Sequence, residues 1–338
     1  MKKRLFLVCI LFNVVLWMLS GCYHSDTIRL DESLDIRLIS WNVQTFFDAQ
    51  KTGTEYQDFL SEKSPWNEEM YSKRLDKLCK ILGEINGDIV VLQEIENQGV
   101  LYDILNRLQG ISYGKNAYKY CSFAIEPGSA IGCGVISRFP LQKMTIHQID
   151  SKNYGEQPQL RPLMEIDITK SPEKNETKPI MKLFVCHWKS KSGGEAEAKI
   201  WQHQQEKLLA HRLKLHEKDY PFGTVPAIIC GDFNKDISEF SFSKAENHIL
   251  IQDIPVKSGW LSFRNTNSEG SYWYQGKWEK IDHFFTWGKV QLKNFSAIKN
   301  PEFCTTSDEG EIIPYRFSLW NGDGISDHLP VECIVSLH

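Results

Sequence analysis

The sequence predicts a layered α/β protein with mixed β-sheets. Three observations carry this. Short β-rich runs recur along the chain, several apolar almost throughout (IVVL, LFVC, AIIC), as in strands covered on both faces. Stretches with apolar residues at helical spacing lie between them. The polar loops at Lys51–Asn67, Ser151–Gln159 and Ser171–Lys178 look like insertions on one body, without internal repeats or long linkers.

The chain has 338 residues, and its start stands apart. Lys2, Lys3 and Arg4 precede an apolar run from Leu5 to Leu19, broken only by Asn13, and then comes Leu19-Ser20-Gly21-Cys22. A basic start, a short apolar run and small residues at a cut describe a secretory signal peptide. The run is about 15 residues, shorter than the ~20 needed to span a bilayer. An uncleaved membrane anchor is the alternative. Residues 1–21 are therefore expected to leave, 22–33 to form a tether, and 34–338 to form one domain.

Within that domain the first strand is expected at Ile36–Trp41. A helix follows, with Tyr71, Leu75, Leu78, Leu82 and Ile85 on one face and Gly87 just past its end. Next come a strand at Asp88–Gln93, a shorter helix at Val100–Leu108, and strands at Ile131–Ser137, Leu163–Ile168 and Ile180–His187. A hairpin is expected near Ser171–Lys178. The third helix, Glu195–Glu217, carries Trp201, Leu208, Leu209, Leu213 and His216 loosely on one side. Strands at Ala227–Gly231, Ile281–Thr286 and Pro330–Val335 complete the pattern.

The formal net charge is −4, and loss of residues 1–21 would take it to −7 by removing three positive charges. This balance argues against tight, non-specific nucleic-acid binding as the primary role. A nuclease stays open, because bound cations supply positive charge locally. Of the nine cysteines, Cys186, Cys230 and Cys333 sit in apolar runs and read as buried free thiols. No CxxC or zinc spacing occurs. Cys121 and Cys133 could pair.

Ionisable and amide residues recur at the ends of the apolar runs. Asn42 follows LISW, Glu94 follows VVLQ, His187 follows LFVC, and Asp232 and Asn234 follow IICG. Asp282 opens the IDHFF run, and Asp327 and His328 precede the last strand. Strand ends are where layered α/β proteins collect ligand and catalytic groups. Oxygen ligands without thiolates suit Mg²⁺, with Mn²⁺ or Ca²⁺ as alternatives, rather than zinc. An Asp–His pair orients and charges a histidine for work on water or phosphate.

The fragments SWN (Ser40–Asn42), LQE (Leu92–Glu94), GVISRFP (Gly134–Pro140), HWKS (His187–Ser190), GDFN (Gly231–Asn234), IDH (Ile281–His283) and SDHLP (Ser326–Pro330) resemble, in order, the endonuclease/exonuclease/phosphatase superfamily. They cover residues 36–338. The resemblance implies a four-layered α/β sandwich, two mixed sheets face to face with helices outside, and metal-dependent phosphodiester hydrolysis. It implies that Asn42 and Glu94 hold the metal, with Asp327 reaching it or orienting neighbours. Asp232 and Asn234 would position the attacking water and the phosphate. Asp282 and His328 would form the Asp–His pair, and His187 would contact the scissile phosphate. Arg161, in LRP, is implied as a phosphate or scaffold contact, and Lys189 as a further substrate contact.

Taken singly, each residue has an ordinary reading. Asn42 and Asp232-Phe233-Asn234 could be turn residues. Glu94 could be a surface carboxylate and His187 a structural histidine. The aromatic stretch Trp260, Phe263, Tyr272, Trp273, Tyr274 and Trp278 could stack bases, but hairpin packing is the preferred reading. Lys189, Lys191 and Lys199 could meet phosphates or simply open a solvated helix.

The cut site Leu-Ser-Gly-Cys resembles a bacterial lipoprotein signal. It implies lipidation of Cys22 and an exported, membrane-anchored protein of the cell envelope. The extended HWKSKSGG stretch and the signal resemble secreted bacterial nucleases, so DNA or RNA is the expected substrate. A phospholipid, sphingomyelin or inositol-phosphate hydrolase is the first alternative, and it would be expected to show an apolar docking hairpin near the site. A non-catalytic surface binding lipoprotein is the second. No feature calls for an obligate protein partner.

Overall fold

A computed structural model describes residues 33–110, 117–150, 156–172, 178–245 and 247–337. The expected signal peptide, its cut site, Cys22 and most of the tether lie outside the described residues. One compact unit runs from Asp35 to Leu337. Among the described residues no helix is long and apolar enough to cross a membrane.

The chain begins with β1 (Leu34–Phe46), α1 (Glu68–Ile85), β2 (Ile89–Ile95), α2 (Gln98–Gln109), β3 (Tyr120–Ala124), β4 (Gly132–Ser137) and β5 (Leu141–His147). The middle holds β6 (Leu163–Ile168), β7 (Met181–His187), α3 (Glu195–Asp219), β8 (Ala227–Asp232), β9 (Ser241–Phe242), β10 (His248–Ile251) and β11 (Ile254–Ser258). The hairpin β12 (Tyr272–Tyr274) and β13 (Lys277–Glu279) follows, then β14 (Asp282–Trp287), β15 (Val290–Ala297), β16 (Cys304–Thr306), β17 (Ile312–Pro314) and β18 (Val331–Leu337). Two large sheets result, ordered β15-β18-β1-β2-β4-β3 and β5-β6-β7-β8-β14-β11-β10-β9. They meet through β2 against β8 and β14 against β18, with α2 on the first sheet and α3 against β10 and β11 of the second. This is the expected α/β sandwich of mixed sheets.

The apolar runs form the buried centre, with Val90, Val91 and Leu92 of β2 and Ile228, Ile229 and Cys230 of β8 fully inaccessible. The eight expected strands are all present, shifted by a few residues at their ends. The expected hairpin before His187 is the antiparallel β6–β7 pair. Cys121 and Cys133 are both free. On the β3–β4 ladder Cys121 faces Ile136 and Cys133 faces Ala124, so the register sets them apart.

α1 starts at Asn67, whose side chain accepts from the Met70 N–H at 3.0 Å. It ends with Asn86 in the left-handed conformation. Gly87 serves packing instead, since a Cβ there would meet Ile39 Cγ1 at 2.6 Å. The parallel pairs β1–β2 and β7–β8 bring four strand ends to one rim. Each pair is joined through a long helix, α1 or α3.

Candidate active site

From the first sheet come Asn42 and Glu94. Glu94 occupies a bulge, with Gln93 and Ile95 paired to both neighbours and Glu94 itself skipped. Its φ of 67° lies in the left-handed region, a strain of the kind that concentrates at functional sites. The carboxylate accepts from the Asn42 amide at 3.1 Å and the Thr45 N–H at 2.6 Å. Asn42 in turn accepts at Oδ1 from the Gln44 N–H at 2.9 Å. Gln44 and Thr45 both have positive φ, so the end of β1 curls back over its own side chains.

From the second sheet come His187, Asp232 and Asn234. The β7–β8 register sets His187 beside Asp232, and antiparallel pairing sets Asp232 opposite Asp282. Gly231 permits this. At φ 134° a Cβ would lie 1.9 Å from the Cys186 carbonyl oxygen. Asp232 is buried and accepts from Asn42 Nδ2 at 3.0 Å, Asn234 N at 2.8 Å and Asn234 Nδ2 at 3.0 Å. Burial nevertheless holds its pKa well above the usual carboxylate range, and the charge on Asp282 adds to this.

His328 donates or shares its Nδ1 proton with Asp282 Oδ2 at 2.8 Å. Burial alone would lower the His328 pKa, but the Asp282 carboxylate overrides it, aided by Asp232 and Asp327, and raises it to about 10. His328 is therefore an imidazolium at neutral pH. His187 is the opposite case. Burial, with the charges of Arg161 and His328, keeps its pKa well below 6.5, so it is neutral. Its Nε2 lies 3.6 Å from Asp232 Oδ2.

These groups line one cleft of about 840 Å³: Asn42, Glu94, Arg161, His187, Asp232, Asn234, Asp327 and His328 all face it. Asp282 stands behind His328. Lys189 does not line the cleft. Its ammonium donates to the Ser190 carbonyl at 3.2 Å, and Lys191 lines the wall instead. The aromatic stretch divides by strand alternation. Tyr272 and Tyr274 line the cleft, with Tyr272 tilted against His328 at 4.6 Å between ring centroids, whereas Trp273 packs edge-on against Trp278 at 5.1 Å. Gln44, Thr45, Tyr56 and Arg316 also line the cleft, without a motif to announce them.

α3 explains why the loops after β7 and β8 stay in place. Gln202, buried, donates to the carbonyls of Lys189 and Asn234, each at 2.8 Å. Gln205 accepts from the Lys189 N–H at 2.8 Å. The helix face turned inward is thus partly polar, and Leu208 is only half-buried.

On the Glu94 side of the cleft, the groups that could hold a divalent ion are the Glu94 carboxylate and the Asn42 amide oxygen, with Asp327 lining the same cleft; all are oxygen donors, which suit a hard cation. The trio Asp232, Asp282 and His328 also has ligand atoms within 4.8 Å of one another. It is better read as a proton-handling group, because His328 Nδ1 is engaged by Asp282 and the ring is charged.

Comparison with known proteins gives one family and one fold. The family described as Endonuclease/Exonuclease/phosphatase matches residues 37–336. No curated relative matches the chain by sequence. Among solved structures, truncated TDP2 from Caenorhabditis elegans is similar at 15% identity and TM-score 0.55, covering 90% of this chain and 98% of that one. The human Nocturnin catalytic domain with bound sulfate is similar at 17% and 0.56, covering 90% and 95%. A mannosyl-6-phosphatase from Bacteroides thetaiotaomicron is similar at 14% and 0.54, covering 89% and 99%. At these identities the likeness is one of fold.

Proposed function

We infer the reaction from one premise: the chain belongs to the endonuclease/exonuclease/phosphatase family, whose members are divalent-metal-dependent phosphoester hydrolases. We propose that this protein hydrolyses phosphodiesters of DNA or RNA. The observation that carries this is the meeting, in one cleft, of an oxygen-only ligand pair on the first sheet and a proton-handling group built from both sheets, with Asp232 and Asp282 from the second and His328 from the approach to β18 in the first. Asn42 and Glu94 would hold Mg²⁺, which when bound neutralises charge on the non-bridging oxygens. Mn²⁺ or Ca²⁺ would suit the same oxygens.

The chain's own residues supply the rest. Asp232, more basic than an ordinary carboxylate, takes a proton from the attacking water, with Asn42 and Asn234 fixing its oxygens. As the water oxygen bonds phosphorus and the ester P–O bond breaks, the His328 imidazolium, held by Asp282, gives its proton to the departing oxygen. Neutral His187 hydrogen-bonds the phosphate, and Arg161 supplies charge at the same wall.

Nucleic acid is favoured by Arg161, Lys191, Lys277 and Arg316, which line the cleft with Tyr272 and Tyr274, although Glu195 and Glu279 line it too and Lys191 and Arg316 pair with Glu239 and Asp327. The hairpin tip beside the site is Gln275-Gly276, polar rather than apolar, which disfavours lipid docking there. One feature favours a lipid headgroup: Trp320, 66% exposed, lies on the segment that carries Arg316. We also propose export and lipidation at Cys22, supported by the Leu5–Leu19 run and the Leu-Ser-Gly-Cys cut site. Loss of radiolabelled palmitate incorporation in Cys22→Ala would support it, and retention would overturn it.

The activity test uses purified protein with supercoiled DNA, Mg²⁺ or EDTA, and a His187→Ala control. Nicking that needs both metal and His187 is the expected result. Release of phosphate or headgroup from lipid or sugar phosphates, without nicking, would move the substrate. Inactivity on all of them would favour a binding role.

A further inference from the structure

Arg74 is buried to 98% within α1, on the helix face that points at the site. Its hydrogen bonds all go to backbone carbonyls. Nη1 donates to Thr45 at 3.0 Å, and Nη2 donates to Val43 at 2.9 Å, to Gln44, and to Ile325 at 3.2 Å. The guanidinium lies between two rings, 3.6 Å from the Phe317 centroid and 4.6 Å from that of Phe46.

Three of the four carbonyls it holds belong to the segment whose N–H groups hold the cleft's ligands. Gln44 N donates to Asn42 Oδ1, and Thr45 N donates to Glu94 Oε2. Both residues sit at positive φ, which non-glycine residues adopt only when their surroundings enforce it. Ile325, the fourth acceptor, is two residues before Asp327. Gln44 closes the loop from the other side, exchanging two hydrogen bonds with Phe317 at 2.9 and 3.1 Å. The Arg74 charge acts on Glu94 and Asp327 without touching either.

We propose that Arg74 is a positioning residue for the divalent cation. It clamps the strained Val43–Thr45 turn so that Asn42 Oδ1 and Glu94 both face the cleft, and it ties the Asp327 loop to the same point. The proposal rests on the reading of Asn42 and Glu94 as metal ligands. Lysine cannot replace it, because a point ammonium cannot serve four carbonyls spread over two segments.

The test is calorimetric titration of the full chain with Mg²⁺, for wild type, Arg74→Lys and Arg74→Met. Circular dichroism checks the fold at the titration temperature. Both variants should bind Mg²⁺ at least ~10-fold more weakly, in the range seen when groups orienting a ligand are removed. Activity should fall at low Mg²⁺ and recover as Mg²⁺ is raised. A purely structural role would lower Tm in both variants and leave Mg²⁺ affinity unchanged, and that result overturns the proposal. If neither variant folds, Phe317→Leu keeps the cation and removes the ring that pins it. Weaker Mg²⁺ binding is expected there too, and wild-type affinity would overturn the proposal. Absence of Mg²⁺ binding by the wild type would overturn the ligand reading and this proposal with it.

Discussion

Replacing Asp282 by Asn removes one negative charge from a fully buried position and changes little in size. Asp282 Oδ2 faces His328 Nδ1 at 2.8 Å, while Oδ1 has no partner among the described residues. Holding a buried histidine at about 10 instead of 6.5 corresponds to roughly 5 kcal/mol of preference for its charged form, at about 1.4 kcal/mol per pH unit. Asp282 is the foremost source, so Asp282→Asn should bring the His328 titration down by about 2 pH units or more. If the amide oxygen accepts from His328, the amide N–H groups face a place with no acceptor, costing about 1–3 kcal/mol.

The pH dependence follows from the direction of the shift. A group with a raised folded-state pKa adds stability that is complete below 6.5 and is lost as pH rises through about 10. The wild type should lose Tm across that window, and the variant should lose less. His ring NMR gives the titration, calorimetry the Tm, and Mg²⁺-dependent hydrolysis the turnover, expected to fall by ~10²–10⁴-fold. A His328 titration that does not move, or turnover within about threefold of wild type, refutes the pairing as the source of the charged imidazole.

His187→Ala and His328→Ala should each lower turnover by ~10²–10⁴-fold with Mg²⁺ affinity intact in titration calorimetry; unchanged turnover in both would sink their assignment. Glu94→Gln should raise the Mg²⁺ requirement by ~10-fold or more with little change in thermal unfolding, and an unaltered metal dependence would remove Glu94 from the ligand set. Gly231→Ala should cost roughly 4 kcal/mol or more, read as a large fall in Tm or loss of soluble protein, because its Cβ would overlap the Cys186 carbonyl. A Gly231→Ala variant of native Tm would mean that β7 and β8 can part without penalty.

The residues at the ends of β1, β2, β7 and β8 were legible because an apolar run that stops at Asn, Glu, His or Asp marks both a strand and its end. Arg161 was legible through the LRP fragment, and it lines the cleft. Lys189 was named from the same kind of fragment, but its backbone bonds Gln205 and its ammonium stays beside Ser190. Arg74 and Gln202 were not legible. On an amphipathic helix an Arg or Gln reads as a solvated residue, and only tertiary structure shows that their polar atoms are spent on distant carbonyls. Tyr272 and Tyr274 could have been separated from Trp273 by the period of two, had the stretch been recognised as a strand of three residues. The short strands β9 to β13 carry too few residues for periodicity to register.

The position of β18 has a consequence for synthesis. In its sheet β18 lies between β15 and β1, so a strand from residues 331–337 is wedged beside one from residues 34–46. His328 is delivered by that insertion. Its backbone carbonyl receives the Trp41 indole N–H at 2.9 Å across 287 positions of sequence. A ribosome-bound chain that already displays Asn42, Glu94, His187 and Asp232 therefore still lacks its charged imidazole. The full set of cleft residues is therefore assembled only once β18 has been made and docked.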